Sequence, residues 1–221
     1  MRKLVTLTFI LFAYLIFRPI LSSVWYPMHD TTAILRVYLL EHSLSGSGFP
    51  AIWAGELNGG QGYPLFHFYA PLMTYLALLG KTLTSSYFVG VKAVLFISSV
   101  LGMIGMYLLT RGWGRLPAIL SSLSFALLPY AAVNIYVRGA YAEYLSMALL
   151  PWVFYVWRDL GSMRRRLLAG LVTTLFLLSH NLIPLITSPF LLVWIIMHHR
   201  LNFKLLMVPI VTTLLVSSFY L

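Results

Sequence analysis

Cysteine is absent from this 221-residue chain, which excludes disulfides, thiolate nucleophiles and thiolate metal sites and leaves the compartment open on that ground. Charge is scarce too. Asp, Glu, Lys and Arg together make up 9% of the residues, against about a quarter in soluble domains, so an ordinary soluble domain is excluded. Acidic residues are the rarest, five against fifteen Lys and Arg, for a formal net charge of +10. In a soluble protein that surplus would suggest nucleic acid. Polytopic membrane proteins instead gather Lys and Arg in their cytoplasmic loops, so the surplus reads first as a topology signal and second as attraction to anionic membrane lipid, with no nucleic-acid partner implied. What fills the chain is apolar: 60% of side chains are hydrophobic and the mean hydropathy is +0.88. Uncharged runs such as Leu116–Val137 and Leu167–Met197 have the length of bilayer spans. The fold class expected is an all-α polytopic membrane protein.

Met1-Arg2-Lys3 precedes an uncharged stretch, Leu4 to Phe17. No A-x-A-like small-residue site follows it, only Ser22-Ser23-Val24-Trp25, so it reads as a retained first span rather than a cleaved signal peptide. One long polar stretch, Ser22 to Tyr63, contains Asp30, Glu41 and Glu56. Apolar segments follow at 64–80, 91–109, 116–137, 144–157, 167–197 and from Leu205 to the end. As one helix, the run Leu167–Met197 would measure about 46 Å, too long for one bilayer core. Ser179-His180-Asn181, with Pro184 close behind, divides it into two spans.

Segment 64–80 decides the topology. With Arg18 and Lys92, at span boundaries, left out of both counts, four basic residues lie inside and nine outside if it spans; if it stays in the interface or re-enters, ten lie inside and three, Arg36, Lys81 and Arg138, outside. The positive-inside rule selects the second arrangement. About seven transmembrane helices result, with a cytoplasmic N-terminus and a long first extracytoplasmic loop carrying amphipathic, interfacial helices. The chain is expected to be a single membrane domain, 1–221, with a first span at 4–22, an outer loop at 23–88 and the remaining spans at 89–221. Because it stops inside an apolar run, truncation at its C-terminus is also expected. Four of the five acidic residues, Asp30, Glu41, Glu56 and Glu143, then fall on the outer side.

Several outer residues carry candidate chemistry. Asp30, in His29-Asp30-Thr31-Thr32, opens a stretch whose Ala33, Val37, Leu40 and Leu44 share one face, as in an amphipathic helix lying on the membrane. Asp30 serves there as a helix N-cap, as a base at the membrane surface, or as both. The run Asn58-Gly59-Gly60-Gln61-Gly62 lacks a GKS or GKT continuation, so it reads as a turn rather than a P-loop. Aromatics from Tyr63 to Tyr69 have the density of an interfacial anchor. Glu143, beside Arg138, is expected about one turn inside a span, where a carboxylate needs a reason: either a local pair with Arg138 or a polar site in which Arg138 meets phosphate. His180 falls at the same outer end. Asp30, Glu56, Glu143 and His180 are donor types that suit a hard divalent cation, but their spacing matches no metal motif, so any cofactor is left unspecified.

Taken together, His29-Asp30, Gly60-Gln61-Gly62-Tyr63-Pro64-Leu65-Phe66-His67-Phe68-Tyr69-Ala70-Pro71, Arg138-Gly139-Ala140-Tyr141-Ala142-Glu143 and Leu178-Ser179-His180-Asn181 resemble the GT-C superfamily of membrane glycosyltransferases. The nearest likeness within it is the membrane 6-pyruvoyl-tetrahydropterin synthase-related family, of which the chain resembles the N-terminal part; no residue pattern suggests pterin chemistry. The resemblance implies a cell-membrane enzyme that transfers a sugar from a polyprenyl-phosphate donor to an acceptor on the extracytoplasmic face. It implies Asp30 as the catalytic base and His29, Glu56, Arg138, Glu143 and His180 as substrate-binding residues, with Arg138 meeting the lipid phosphate. Where that superfamily often pairs two acids in its first loop, this chain has His29 before a single Asp30, which leaves metal dependence open. A transporter or flippase of a lipid-linked or anionic substrate, and a non-catalytic membrane subunit, remain the alternatives.

Overall fold

The computed structural model describes residues 2–22 and 27–220. Of the stretch Ser22-Ser23-Val24-Trp25, all but Ser22 lies outside the described residues. Among the described residues eleven α-helices follow one another: α1 (Arg2–Leu21), α2 (Ala33–Ser47), the short α3 (Leu65–Phe68), α4 (Leu72–Thr84), α5 (Tyr87–Thr110), α6 (Arg115–Ala126), α7 (Pro129–Val133), α8 (Tyr141–Val156), α9 (Met163–Ser179), α10 (Leu182–His199) and α11 (Phe203–Ser217). A π-helical turn, Asn134–Arg138, joins α7 to the loop before α8.

α8 is the axis of the bundle, buried on nearly every face. α5 runs parallel to it at close range. A Cβ on Gly102 would sit 3.3 Å from the Ala148 backbone, and Trp152 Nε1 donates to the Leu101 carbonyl at 2.8 Å. Small residues give such contact between apolar helices, where packing rather than water exclusion drives association. α1 runs antiparallel to α5, with ring centroids 6.5 Å apart at Phe17–Phe96 and 6.0 Å at Phe9–Tyr107. α10 follows α8, since Trp194 Nε1 donates to the Phe154 carbonyl at 3.0 Å and His199 Nε2 lies 2.7 Å from that of Trp157. α11 returns beside α9, where Thr213 donates to the Gly170 carbonyl at 3.1 Å.

These directions sort the charges. The start of α1, Arg111, Arg115, Arg158, Arg164, Arg165, Arg166, Arg200 and Lys204 gather at one end of the bundle, while Arg36, Lys81 and Arg138 stand at the other with Asp30, Glu41, Glu56 and Glu143. Among the described residues three helical stretches are long and apolar enough to cross a membrane: Tyr87–Trp113, Arg115–Arg138 and Leu182–His199; Val5–Leu21 and Phe203–Ser217 are shorter apolar helices. α8 and α9, with 16 and 17 residues, are about 25 Å long, less than a core of about 30 Å.

Segment 64–80 is not one helix. Ala70-Pro71 separates α3 from α4, and the 13 residues of α4 reach only about 20 Å. The expected span at 116–137 falls within Arg115–Arg138, long and apolar enough to cross, but is not one continuous helix, because Leu128 turns extended ahead of Pro129 and the helix restarts there. The break at 179–181 lies where expected, between α9 and α10. α2 has the stripe read from the sequence, but Ala33 and Val37 bury it with Met73, Ala77, Val91 and Val94, and Leu39 and Leu40 with Ala51 and Phe66. That face is packed on protein, which corrects the expectation of a helix resting on lipid.

Candidate functional site

Asp30 lies two residues before Thr32, the residue that caps α2, and so is not the helix cap the sequence suggested. Its Oδ1 accepts from the Thr32 amide at 2.9 Å and the Thr32 hydroxyl at 2.6 Å, closing a turn that leads into the helix. Its Oδ2 accepts from Arg36 Nη2 at 3.0 Å, six residues on and one turn into α2. An ionised carboxylate has about four acceptor positions. Three are filled, so among the described residues one on Oδ2 stays free. Burial pushes the Asp30 carboxyl up, but the Thr32 hydroxyl, its amide and the Arg36 guanidinium together hold it below the usual carboxylate range. Asp30 is therefore ionised near neutrality.

Two backbone hydrogen bonds fasten this turn to the loop before α8: His29 N donates to the Val137 carbonyl and Asp30 N to that of Arg138, both at 2.9 Å. Gly139 makes the approach possible. Its φ of +69° is a left-handed conformation that glycine adopts freely, and a Cβ there would stand 2.2 Å from the Asp30 carbonyl oxygen. The π turn places Arg138 so that Glu143, in the first turn of α8, receives its Nη1 at 3.0 Å. The separation of five residues, awkward on one helix, is bridged because a left-handed turn lies between the two. The same Nη1 reaches the Tyr130 hydroxyl at 2.9 Å and Asn134 Oδ1 at 2.6 Å, and Tyr130 in turn donates to Glu143 Oε1. Glu143 is 7% exposed and its counter-ion Arg138 39%. Nε and Nη2 of Arg138 have no hydrogen-bond partner among the described residues.

Tyr69 joins the two halves. Its hydroxyl accepts from Arg36 Nη1 at 2.9 Å, its ring lies 4.0 Å from the guanidinium, and both Asp30 and Glu143 act on it electrostatically. The next turn arrives beside it, because Asn181 Nδ2 donates to the Phe68 carbonyl at 2.9 Å. His180 Nδ1 accepts from the Ile183 amide at 3.2 Å and so heads α10. An accepting Nδ1 leaves the proton on Nε2. Burial lowers the His180 pKa, with Glu143 raising it and Arg138 lowering it in opposition, and the Asn181–Phe68 bond brings its turn beside Tyr69.

Asp30, Arg138, Glu143 and His180 are thus brought together. Glu56 is not: it is exposed on the hairpin closed by Ala54 and Tyr63 and makes no ion pair among the described residues. His29 is exposed and joins through its backbone alone. The glycine run is a turn, as expected, stapled by Asn58 Nδ2 to the Gly62 carbonyl at 3.1 Å. A four-residue cation site at Asp30, Glu56, Glu143 and His180 does not form, and among the described residues no three His, Asp or Glu side chains gather in a way that would hold a metal. The sequence reading missed Arg36, Tyr69, Tyr130, Asn134 and Asn181 as site residues. Arg36, a quarter-turn from the buried stripe of α2, was the one with a visible signal.

A family model described as 6-pyruvoyl-tetrahydropterin synthase related domain, membrane protein, matches residues 66–221. No curated protein and no solved structure matches the chain. The matched stretch contains Tyr69, Arg138, Glu143 and His180 and begins after His29, Asp30 and Glu56. Over most of its length, therefore, the chain belongs to this family of membrane proteins related to 6-pyruvoyl-tetrahydropterin synthase.

Proposed function

We propose that the chain is a membrane glycosyltransferase of GT-C type, taking a sugar from a polyprenyl-phosphate donor and passing it to an acceptor on the extracytoplasmic side of the cell membrane. The observation that carries this reading is an ionised Asp30 with one free acceptor position, tied through two backbone hydrogen bonds to an arginine with two unspent nitrogens. The acceptor hydroxyl oxygen attacks the anomeric carbon, its proton passes to Asp30, and the bond from that carbon to the phosphate oxygen breaks with its electron pair on the phosphate. Arg138 offsets the charge that develops on the departing lipid phosphate, and its planar fork suits that group. Glu143, with one oxygen on Tyr130 and the other on Arg138, holds the arginine in position. His180 presents an Nε2–H donor beside the pair and orients donor or acceptor.

The topology proposed with it has seven spans, a cytoplasmic N-terminus and the Asp30 end outside. Ten basic residues at one end of the bundle against five at the other, where Arg18 in the last turn of α1 and Lys92 on the Ser22 carbonyl join Arg36, Lys81 and Arg138, support that orientation through the positive-inside rule. The test is Asp30→Asn, expressed in the full chain and assayed in membranes with radiolabelled polyprenyl-phosphate sugar. Transfer should vanish while protein level stays near that of the parent and unfolding remains cooperative, with the melting point lowered only by the lost pair to Arg36. Undiminished turnover by this variant would refute the assignment. Movement of the labelled lipid between leaflets without sugar transfer would show a flippase instead.

A further inference from the structure

At the end of the bundle opposite Asp30, α5, α8 and α9 leave a cavity of about 380 Å³ between their ends. That is a size typical of small-molecule pockets, roughly 300–1,000 Å³. Arg111, Arg158 and Arg165 line it together with Asp159, against walls that include Tyr155 and Leu168. Three guanidiniums facing one carboxylate leave two positive charges unbalanced. Asp159 is already spent, since Oδ2 accepts from Arg165 and Oδ1 from the Gly161 amide at 2.9 Å. Arg111 lies 6.0 Å from the Tyr155 ring, and the Arg158 guanidinium lies over Gly112, where a Cβ would sit 3.7 Å from its nearest nitrogen. Neither guanidinium has an ion pair or hydrogen bond among the described residues.

The positive-inside rule accounts for arginines at this end but not for their convergence. Like charges free to splay into water would do so; here the helix ends bring the three backbones to one place, Arg111 directly after α5, Arg158 just beyond α8 and Arg165 in the first turn of α9, and the three side chains line one cavity. A concave group of forks with apolar walls suits a phosphodiester. A second observation points to the source of that phosphate. Leu168, Leu171 and Leu175, 48%, 46% and 41% exposed, share one face of α9 and run from the cavity down the helix toward the middle of the bundle.

We propose that this cavity binds the phosphate head group of an anionic phospholipid whose acyl chain lies along Leu168, Leu171 and Leu175. Basic pockets between helices at the cytoplasmic side have the chemistry for such head groups, and the site is independent of any sugar transfer at the other end.

The test uses the full chain, purified and delipidated in detergent, with binding of phosphatidylglycerol, phosphatidylcholine and glycerol 3-phosphate measured by native mass spectrometry. R111Q/R158Q, which leaves the Asp159–Arg165 pair intact, should weaken phosphatidylglycerol binding about tenfold or more and leave phosphatidylcholine unchanged, with an unaltered melting temperature. Leu171→Gln, which touches no arginine, should weaken the lipid and not glycerol 3-phosphate. Lys204→Gln, at the same end but outside the cavity, should bind like the parent. Equal loss in Lys204→Gln would assign the effect to diffuse surface charge and overturn the site, as would full phosphatidylglycerol binding by R111Q/R158Q. Glycerol 3-phosphate binding as tightly as phosphatidylglycerol would overturn the lipid assignment in favour of a soluble phosphate compound.

Discussion

Gly139→Ala tests whether the Asp30 turn and the Arg138 loop are one unit, and Gly59→Ala is its internal control. The two glycines have nearly the same left-handed backbone, φ 69° and ψ 20° at Gly139 against φ 67° and ψ 28° at Gly59. Their surroundings differ. A Cβ at Gly59 meets nothing within 4 Å, whereas at Gly139 it meets the Asp30 carbonyl oxygen at 2.2 Å and the Met28 sulfur at 2.9 Å. Left-handed strain alone costs about 1–2 kcal/mol, and that is the loss expected for Gly59→Ala. At Gly139 the obstacle is backbone, which cannot swing aside as a side chain can. The Asp30 turn must move, and the hydrogen bonds from His29 to Val137 and from Asp30 to Arg138 break at about 1 kcal/mol each. Gly139→Ala should therefore lose about 2 kcal/mol more than the control, equivalent to a melting point about 5 °C lower. Thermal unfolding of both variants in the same detergent measures the difference. Equal melting points would refute the reasoning, since the contacts with Asp30 and Met28 are what distinguish the two sites.

Two further outcomes are expected. Because the folded Asp30 carboxyl lies below its ordinary value, pushed up by burial but held down more strongly by Thr32 and Arg36, its ion pair contributes fully above about pH 4 and is lost as pH falls through the lower folded value; Asp30→Asn should flatten the acid limb of a stability-against-pH curve, and an unchanged limb would remove Asp30 from the pair. The absence of cysteine permits single labels: Ser47→Cys and Ala140→Cys should both react with an impermeant maleimide on intact cells, while Met163→Cys, 57% exposed at the opposite end, should react only after permeabilisation. Ala140→Cys protected until permeabilisation would put segment 64–80 across the membrane and take the site apart.

Much of the helical plan was legible because apolar runs and their polar interruptions carry it directly. His180-Asn181 marked the turn between α9 and α10, and Arg111 to Arg115 marked the one between α5 and α6. The break at Pro129 was harder to read, since the residues on both sides are apolar and a bilayer span is inferred from composition alone. The stripe on α2 was visible, but periodicity says that a face is buried and not whether lipid or protein covers it; α4 and α5 cover it. At the site, Asp30, Arg138, Glu143 and His180 were legible as charged or polar residues in apolar surroundings. Their partners were not. Tyr69 and Tyr130 sit among other aromatics that equally suit an interface, and only the tertiary fold brings Tyr69 to Arg36, 33 residues away in sequence.

The clustering of carboxylates at one end has a physical cause that also selects the residue free to meet an anion. Each basic residue read as outer has an acid beside it: Arg36 with Asp30 at 3.0 Å, Lys81 with Glu41 at 2.5 Å and Arg138 with Glu143 at 3.0 Å. Such pairs lower the cost of charge near an apolar medium, and the 40-residue separation of Glu41 and Lys81 hides them from sequence periodicity. The three cations are not equally spent. Lys81 is held by Glu41 and lies 5.0 Å from the Tyr87 ring. Arg36 uses both terminal nitrogens, one on Tyr69 and one on Asp30, and its side chain is 17% exposed. Arg138 meets Glu143, Tyr130 and Asn134 through Nη1 alone and is 39% exposed. A phosphate arriving at this end therefore finds the open edge of a guanidinium at Arg138, already held in place by three acceptors behind it, on a loop whose backbone is hydrogen-bonded to that of Asp30.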